Sequence, residues 1–164
     1  MWYVIQVKTG DEVSVMKKLQ ELNIQAAVPI ENRPTRKSGS WTLKEYVLFP
    51  GYVFLNIHFN AEYYYKVVKI PSVIRFLGES SHPSTLTYLE AEWIKILSGS
   101  GGTPIEPTKV KESENGEVEI VEGILAQFAN RVIKYDKHSR KATFELTICN
   151  EVKEVQLGIE LLEQ

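Results

Sequence analysis

The side chains able to do chemistry are few, and they are not spaced for catalysis. His58, His82 and His138 are scattered and Cys149 is the only cysteine, so no zinc-type spacing exists. The glycines from Gly99 to Gly102 do not follow a strand in the manner of a phosphate loop. The chain is therefore expected to bind rather than catalyse, with no metal and no cofactor. Its charges are more informative. From Gly116 to the end, nine Asp or Glu stand against six Lys or Arg, and five of those six fall between Arg131 and Lys141. They are Arg131, Lys134, Lys137, Arg140 and Lys141, with His138 among them and Asp136 the one opposing charge. Such a concentration on an acidic background makes either a phosphate-facing patch or a solvated turn between strands. A second basic stretch, Glu31 to Ser40, holds Arg33, Arg36 and Lys37 among turn formers. It reads equally as an exposed loop and as a loop reaching for phosphates.

Periodicity supplies the elements that would position these groups. Trp2 to Lys8 alternates as a strand, Asp11 to Leu22 places Val15, Leu19 and Leu22 on one helix face, and Gln25 to Ile30 is a second strand. Trp41 to Lys44 can pair back across Ser38-Gly39-Ser40 as a hairpin. Two apolar β runs, Tyr46 to Phe49 and Tyr52 to Ile57, meet at Pro50-Gly51, where proline fixes φ and glycine opens other conformations. Asn60 caps a helix to about Lys69, with Tyr63, Val67 and Ile70 on its apolar side, and Val73 to Leu77 is a strand. Thr87-Tyr-Leu-Glu90 has the capping-box pattern before a helix with Leu89, Trp93 and Leu97 on one face. Ser98 to Pro107 reads as a linker, extended by polar residues to about Asn115. Short β runs then recur at Val118 to Val121, Arg131 to Tyr135, Ala142 to Ile148 and Val152 to Leu157, the pattern of a small barrel or sandwich.

A length of 164 residues holds one medium domain or two small ones, and 43% hydrophobic with 24% charged residues is ordinary for a soluble protein. The net charge of -2 does not by itself announce a nucleic-acid binder. One cysteine allows no intrachain disulfide, which fits a reducing compartment, and in a strand-like run it reads as a small buried hydrophobe. The N-terminal apolar run is too short for a membrane span and lacks the marks of a signal peptide. The expectation is a cytoplasmic monomer that meets no membrane.

Together, Trp2-Tyr3-Val4, Phe49-Pro50-Gly51-Tyr52-Val53, Pro71 to Gly78 and Val118 to Gly123 resemble the NusG family of transcription elongation factors, in order and spacing over nearly the whole chain. The resemblance implies an α+β fold. Residues 1–98 would form the N-terminal (NGN) domain, a mixed sheet flanked by helices. Residues 99–115 would be a flexible linker, and 116–164 a small SH3-like β-barrel of the KOW type. It also implies docking on the clamp helices of the largest RNA polymerase subunit through Trp2, Tyr3, Phe49, Pro50 and Tyr52. Because Trp2 and Tyr3 alternate, at least one of them must face the core. Lys69, Arg75 and the loop Ser80 to Ser84 would lie toward upstream and non-template DNA. The tail from Lys134 to Leu146, with the ending Val155 to Leu161, looks like the specialised LoaP branch, which promotes processive antitermination and reads an RNA hairpin. That likeness makes Arg131, Lys134, Lys137, His138, Arg140 and Lys141 the RNA-binding set. The alternative is a general elongation and coupling factor whose KOW domain binds proteins through Phe128, a residue that equally suits the barrel core. Asn130 occupies a slot that is glycine in relatives and is expected to adopt a left-handed conformation.

Overall fold

The computed structural model describes residues 1–79, 81–99 and 103–163. In chain order the first elements are β1 (Trp2–Val7), α1 (Glu12–Glu21), β2 (Gln25–Ala27), β3 (Ile30–Lys37), β4 (Ser40–Val47), β5 (Tyr52–Asn56), α2 (Ala61–Val68) and β6 (Val73–Phe76). There follow β7 (Gly78–Glu79), β8 (His82–Pro83), α3 (Tyr88–Leu97), β9 (Thr108–Glu112), β10 (Val118–Glu122), a 3-10 segment (Ile124–Arg131), β11 (Val132–Asp136), β12 (Lys141–Ile148) and β13 (Glu151–Leu161). They form two compact units. The first comprises Met1–Pro29, Phe49–Lys95 and Ile148–Glu151; the second comprises Ile30–Leu48, Ile96–Thr147 and Val152–Gln164.

The first unit is built on a sheet of order β2-β5-β1-β6. Strand β1 pairs antiparallel with β5, Tyr3 opposite Leu55, and with β6, Ile5 opposite Phe76. The two-residue period puts Tyr3, Ile5, Val53, Leu55 and Phe76 on one face, all buried. Trp2, Val4, Gln6, Tyr52, Phe54 and Asn56 share the other face. There Val4 and Phe54 are buried, while Trp2, Gln6, Tyr52 and Asn56 are partly exposed. Helix α1 buries Val15 and Leu19 as expected, together with Glu12, but leaves Leu22 exposed. Asn60 caps α2 by accepting the Tyr63 N–H at 2.9 Å.

Helix α3 differs in phase from the expected Leu89-Trp93-Leu97 face. Leu89 is 54% exposed, and the buried side is Glu90, Ile94 and Leu97. The cause is the polar start of the helix. Thr87 Oγ1 accepts the Glu90 N–H at 3.2 Å and donates to Glu90 Oε2 at 3.0 Å, and Glu90 Oε1 accepts the Cys149 N–H at 3.0 Å. The glutamate thus takes the threonine hydroxyl where a capping box would take the backbone N–H. Pinning Glu90 inward rotates the apolar stripe by one residue.

In the second unit, the stretch Glu31 to Ser40 is not a loop. Strands β3 and β4 pair from Ile30 opposite Val47 to Lys37 opposite Ser40. Ser38 and Gly39 turn the chain with φ of 54° and 81°, the signature of a tight two-residue hairpin. Pro34 argued against a strand, but β3 has one neighbour only, and an edge strand tolerates the missing N–H. A five-stranded sheet of order β10-β9-β13-β12-β11 forms the rest. Its strand β9 lies inside the segment expected as linker. Thr108 and Val110 are buried there, and Ile105 before them is buried and bonded at both ends, to Ile30 O and from Asn32 N–H, each at 2.8 Å. Ser100 to Gly102 of that expected linker lie outside the described residues, as does Ser80 of the expected loop Ser80 to Ser84. Strand β13 joins both halves of the sheet, running parallel to β9 with Ile159 opposite Thr108. Phe144, Leu146, Leu157 and Ile159 fill the core with Leu125 and Phe128 of the 3-10 segment. Asn130 lies in that segment and is not among the residues of positive φ. Among the described residues no helix is long and apolar enough to cross a membrane.

Candidate functional site

The corner Phe49-Pro50-Gly51-Tyr52 closes with a hydrogen bond from Tyr52 N–H to Phe49 O at 3.1 Å, and Gly51 has φ of 87°. Proline followed by a left-handed glycine is the pattern of a type II turn. A second group fixes it. Glu12, 3% exposed, accepts the Gly51 N–H on Oε2 at 3.1 Å and the Gly10 N–H on Oε1 at 2.7 Å. This carboxylate escaped the sequence reading, although Glu12, Val15 and Leu19 follow the +3, +4 spacing of one helix face. Of the five expected docking residues, Tyr3 and Phe49 are core. Tyr3 packs on Phe59 and Phe76 at centroid distances of 5.4 and 6.2 Å, and Phe49 meets Phe54 edge-on at 5.3 Å. Pro50 is exposed, and Trp2 and Tyr52 are half-exposed on one sheet face. Arg75 is opposite Gln6 on that face and donates from Nε to Gln6 Oε1 at 3.0 Å. Lys69 is exposed at the C-terminal end of α2.

In the second unit the expected RNA-binding residues are only partly gathered. Lys134 lies on β11, and the tip Lys137-His138-Ser139-Arg140 joins β11 to β12. Asp136 Oδ1 accepts the Ser139 N–H at 3.0 Å and closes the tip. Arg140 has φ of 56°, and its carbonyl accepts the Ile159 N–H at 2.9 Å, which ties the tip to β13. Lys134 and His138 are exposed, and Arg140 and Lys141 are half-buried. Lys137 is already engaged, with Nζ 2.6 Å from Glu112 Oε1. Arg131 is exposed at the other end of β11, roughly 20 Å along the strand from the tip at about 3.3 Å per residue. Phe128 is 1% exposed and stacks on Phe144 at 4.8 Å, so it belongs to the core and offers no exposed ring to a protein partner.

The hairpin β3–β4 brings the second basic stretch to the first. Two grooves flank Trp41. One, of about 290 Å³, is lined by Arg33, Arg36, Tyr46, His138 and Lys141 among others. The other, of about 580 Å³, is lined by Pro34, Trp41, Leu43, Lys109 and Arg140 among others. The Arg140 guanidinium lies 4.9 Å from the Trp41 ring centroid, that of Arg36 5.9 Å, and that of Arg33 4.3 Å from the Tyr46 ring. Buried Glu31 anchors the hairpin base by an ion pair with Arg33 and by accepting the Gly158 N–H at 2.9 Å. Burial pushes the Glu31 carboxyl above its ordinary value, and neighbouring Arg33 pulls against that shift. Gly158 is required by closeness, because a Cβ there would sit 2.7 Å from Pro34 Cδ. Trp41 drew no functional reading from the sequence; its signal was the pairing with Arg36 across the Ser38-Gly39 turn. Among the described residues no group of three or more His, Cys, Asp or Glu is placed to hold a metal ion.

A family model described as transcription termination factor nusG matches residues 1–95. A transcription termination/antitermination protein NusG of Helicobacter pylori is 31% identical over 157 residues, covering 90% of this chain and 88% of that protein. Its counterpart in Campylobacter jejuni is 31% identical over 144 residues, covering 82% and 80%. In fold, the chain is similar to the solved structure described as domain interaction in Thermotoga maritima NusG, with a TM-score of 0.58, 24% identity, and 96% and 93% of the two chains covered. The family match over the first unit's sheet and the relatives spanning both units lead to one conclusion: the chain belongs to the NusG family of transcription termination/antitermination factors.

Proposed function

We propose that this chain is an elongation factor of the cytoplasm that rides RNA polymerase as a monomer and promotes processive antitermination, in the manner of the LoaP branch. Residues 1–98 would dock on the clamp helices of the largest polymerase subunit, and residues 116–164 would read an RNA hairpin in the nascent leader. The observation that carries the reading is the basic group around the turn from β11 to β12, with His138 and Arg140 on the turn, Lys134 on the strand before it and Lys141 at the start of the strand after it. A-form RNA is recognised mainly through shape, phosphates and 2′-hydroxyls, which a basic hairpin turn meets well. At the polymerase, the docking set is reduced to Trp2, Pro50 and Tyr52, the members of the expected patch with exposed surface. Lys69 and Arg75 remain the groups offered to non-template DNA. The test is transcription through a terminator with and without the operon leader. Leader-dependent readthrough is the expected result, and readthrough indifferent to the leader rejects the specialised role.

The second reading, a general factor that couples transcription to protein partners, draws on the relatives, which carry the general NusG name. Burial of Phe128 counts against the role of partner-facing ring that the resemblance implies for it. Pull-down by the full chain separates the two: folded RNA favours the first, a ribosomal or termination protein the second.

A further inference from the structure

We infer that the grooves beside Trp41 take an unpaired nucleobase of RNA and its flanking phosphates, so that the hairpin β3–β4 supplies half of the RNA site and the basic tip the other half. This inference rests on the RNA reading proposed above and adds to it an element that distinguishes unpaired from paired RNA. Trp41 is 37% exposed, with the guanidiniums of Arg140 and Arg36 within 4.9 and 5.9 Å of its ring centroid. Both guanidiniums lie over the ring, and an aromatic ring with arginine over it is an arrangement that a nucleobase joins by stacking in the arginine's place, which frees the cation for a flanking phosphate; such stacking tolerates any base. The larger groove, about 580 Å³, lies within the roughly 300–1,000 Å³ of ligand sites, with Pro34 and Leu43 as apolar walls. The smaller groove adds the cations Arg36 and Lys141, with His138 beside them.

The charge is uneven between the two grooves. In the larger one Glu106, which accepts from Asn32 Nδ2 at 2.9 Å, and Glu160 stand against Lys109 and Arg140, which suits the base more than the phosphates. In the smaller one Arg36 and Lys141 remain after Glu31 pairs with Arg33, so the flanking phosphates are met there. Trp41 is also held in register with the tip. The bond from Gly158 N–H to Glu31 and the close approach of Pro34 to Gly158 fix the hairpin on β13, and the bond from Ile159 N–H to Arg140 O fixes the tip on the same strand. A platform and a phosphate-facing turn set on one strand constitute a preorganised site, which lowers the entropy cost of binding.

The test uses the full chain at low salt, where sequence-independent binding is measurable. The probes are a fluorescently labelled RNA stem closed by a purine loop and the same stem as a blunt duplex. Trp41→Ala is expected to weaken binding of the stem-loop about tenfold, the order of one base stack removed, and to leave duplex binding unchanged. Trp41→Phe keeps a ring and is expected to recover most of the affinity, which also guards against a folding defect in the alanine variant. Equal loss on both probes, or no loss on either, overturns the nucleobase site while leaving the RNA reading intact. A wild-type chain that binds neither probe overturns both. Unchanged RNA affinity together with weaker binding of Trp41→Ala to core RNA polymerase assigns the grooves to a protein and overturns the inference.

Discussion

At the Phe49–Tyr52 corner two of the four residues are sunk into the protein: Phe49 is core and Gly51 is buried, with its N–H taken by buried Glu12. At the Lys137–Arg140 tip the chain is held by its backbone instead, through the Ser139 and Arg140 bonds, and the side chains of Lys137 and His138 stand at the surface. Both are short connections ending at strands of a sheet. A corner founded on the Phe49 side chain has only Pro50 and Tyr52 to spare for a partner, whereas a tip held through main-chain groups keeps the side chains of Lys137 and His138 at the surface, that of Lys137 paired with Glu112. Stability is the property of the first region and charge the property of the second.

The largest expected effect is at the corner. Phe49→Ala removes a ring that is 4% exposed and packed on Phe54, and should cost about 3–5 kcal/mol in urea unfolding. Tyr52→Ala, on the half-exposed face, should cost less stability and more polymerase affinity. If Phe49→Ala unfolds at the wild-type midpoint, the corner is not founded on its side chains and the contrast with the tip fails.

A smaller effect comes from Glu31, the buried acid that anchors the basic hairpin and so joins both behaviours in one residue. Its folded-state pKa lies above the ordinary 4.5, chiefly through burial, with Arg33 opposing. The sign follows from linkage: the stabilising contribution of the protonated form is complete below the unfolded value and is lost as pH rises through the folded one. Stability of Glu31→Gln relative to wild type should therefore increase as pH is raised from below 4.5 to neutrality. Paired unfolding curves across that range measure it. A difference that stays flat or runs the other way would mean that Arg33 outweighs burial and that the hairpin base is an ordinary ion pair.

Much of this fold was legible because its signals are local. The alternation of Trp2 to Val7, the Asn60 cap and the strands from Val118 onward each announce themselves within a few residues. What was missed depends on distant partners. Pro34 and three basic residues disguise β3 until β4 pairs with it, and β9 is recognisable only once β13 and β10 flank it. The phase of α3 turned on a polar contact of Glu90 that no apolar periodicity registers. For the site, the sequence located the charges of the tip but not their company. Arg131 is set apart by the length of β11, and Lys137 is taken by Glu112. The hairpin residues Arg33, Arg36 and Trp41 join the tip from about a hundred positions earlier in the chain, a separation that only long-range strand pairing closes.

The smallest effect on stability is expected at the tip itself. Lys134 is exposed and has Thr143 as its strand neighbour, so Lys134→Gln should shift unfolding by no more than about 0.5 kcal/mol. On the proposed RNA reading its effect is expected in RNA affinity, where removing one phosphate-binding cation should lower the slope of log K against log salt by about 0.7–0.9. Lys137→Gln provides the internal control. Because Lys137 Nζ is already 2.6 Å from Glu112, its removal unmasks an acidic group beside the tip as it deletes a cation. If Lys137 also touched phosphate, the two variants would change the salt slope alike. If Lys137 is occupied by Glu112, Lys137→Gln should weaken RNA binding at low salt through the carboxylate it no longer screens, with a smaller change in slope than Lys134→Gln. Titrations of both variants at several salt concentrations decide between a tip that uses every charge and one that has committed some of them to its own fold.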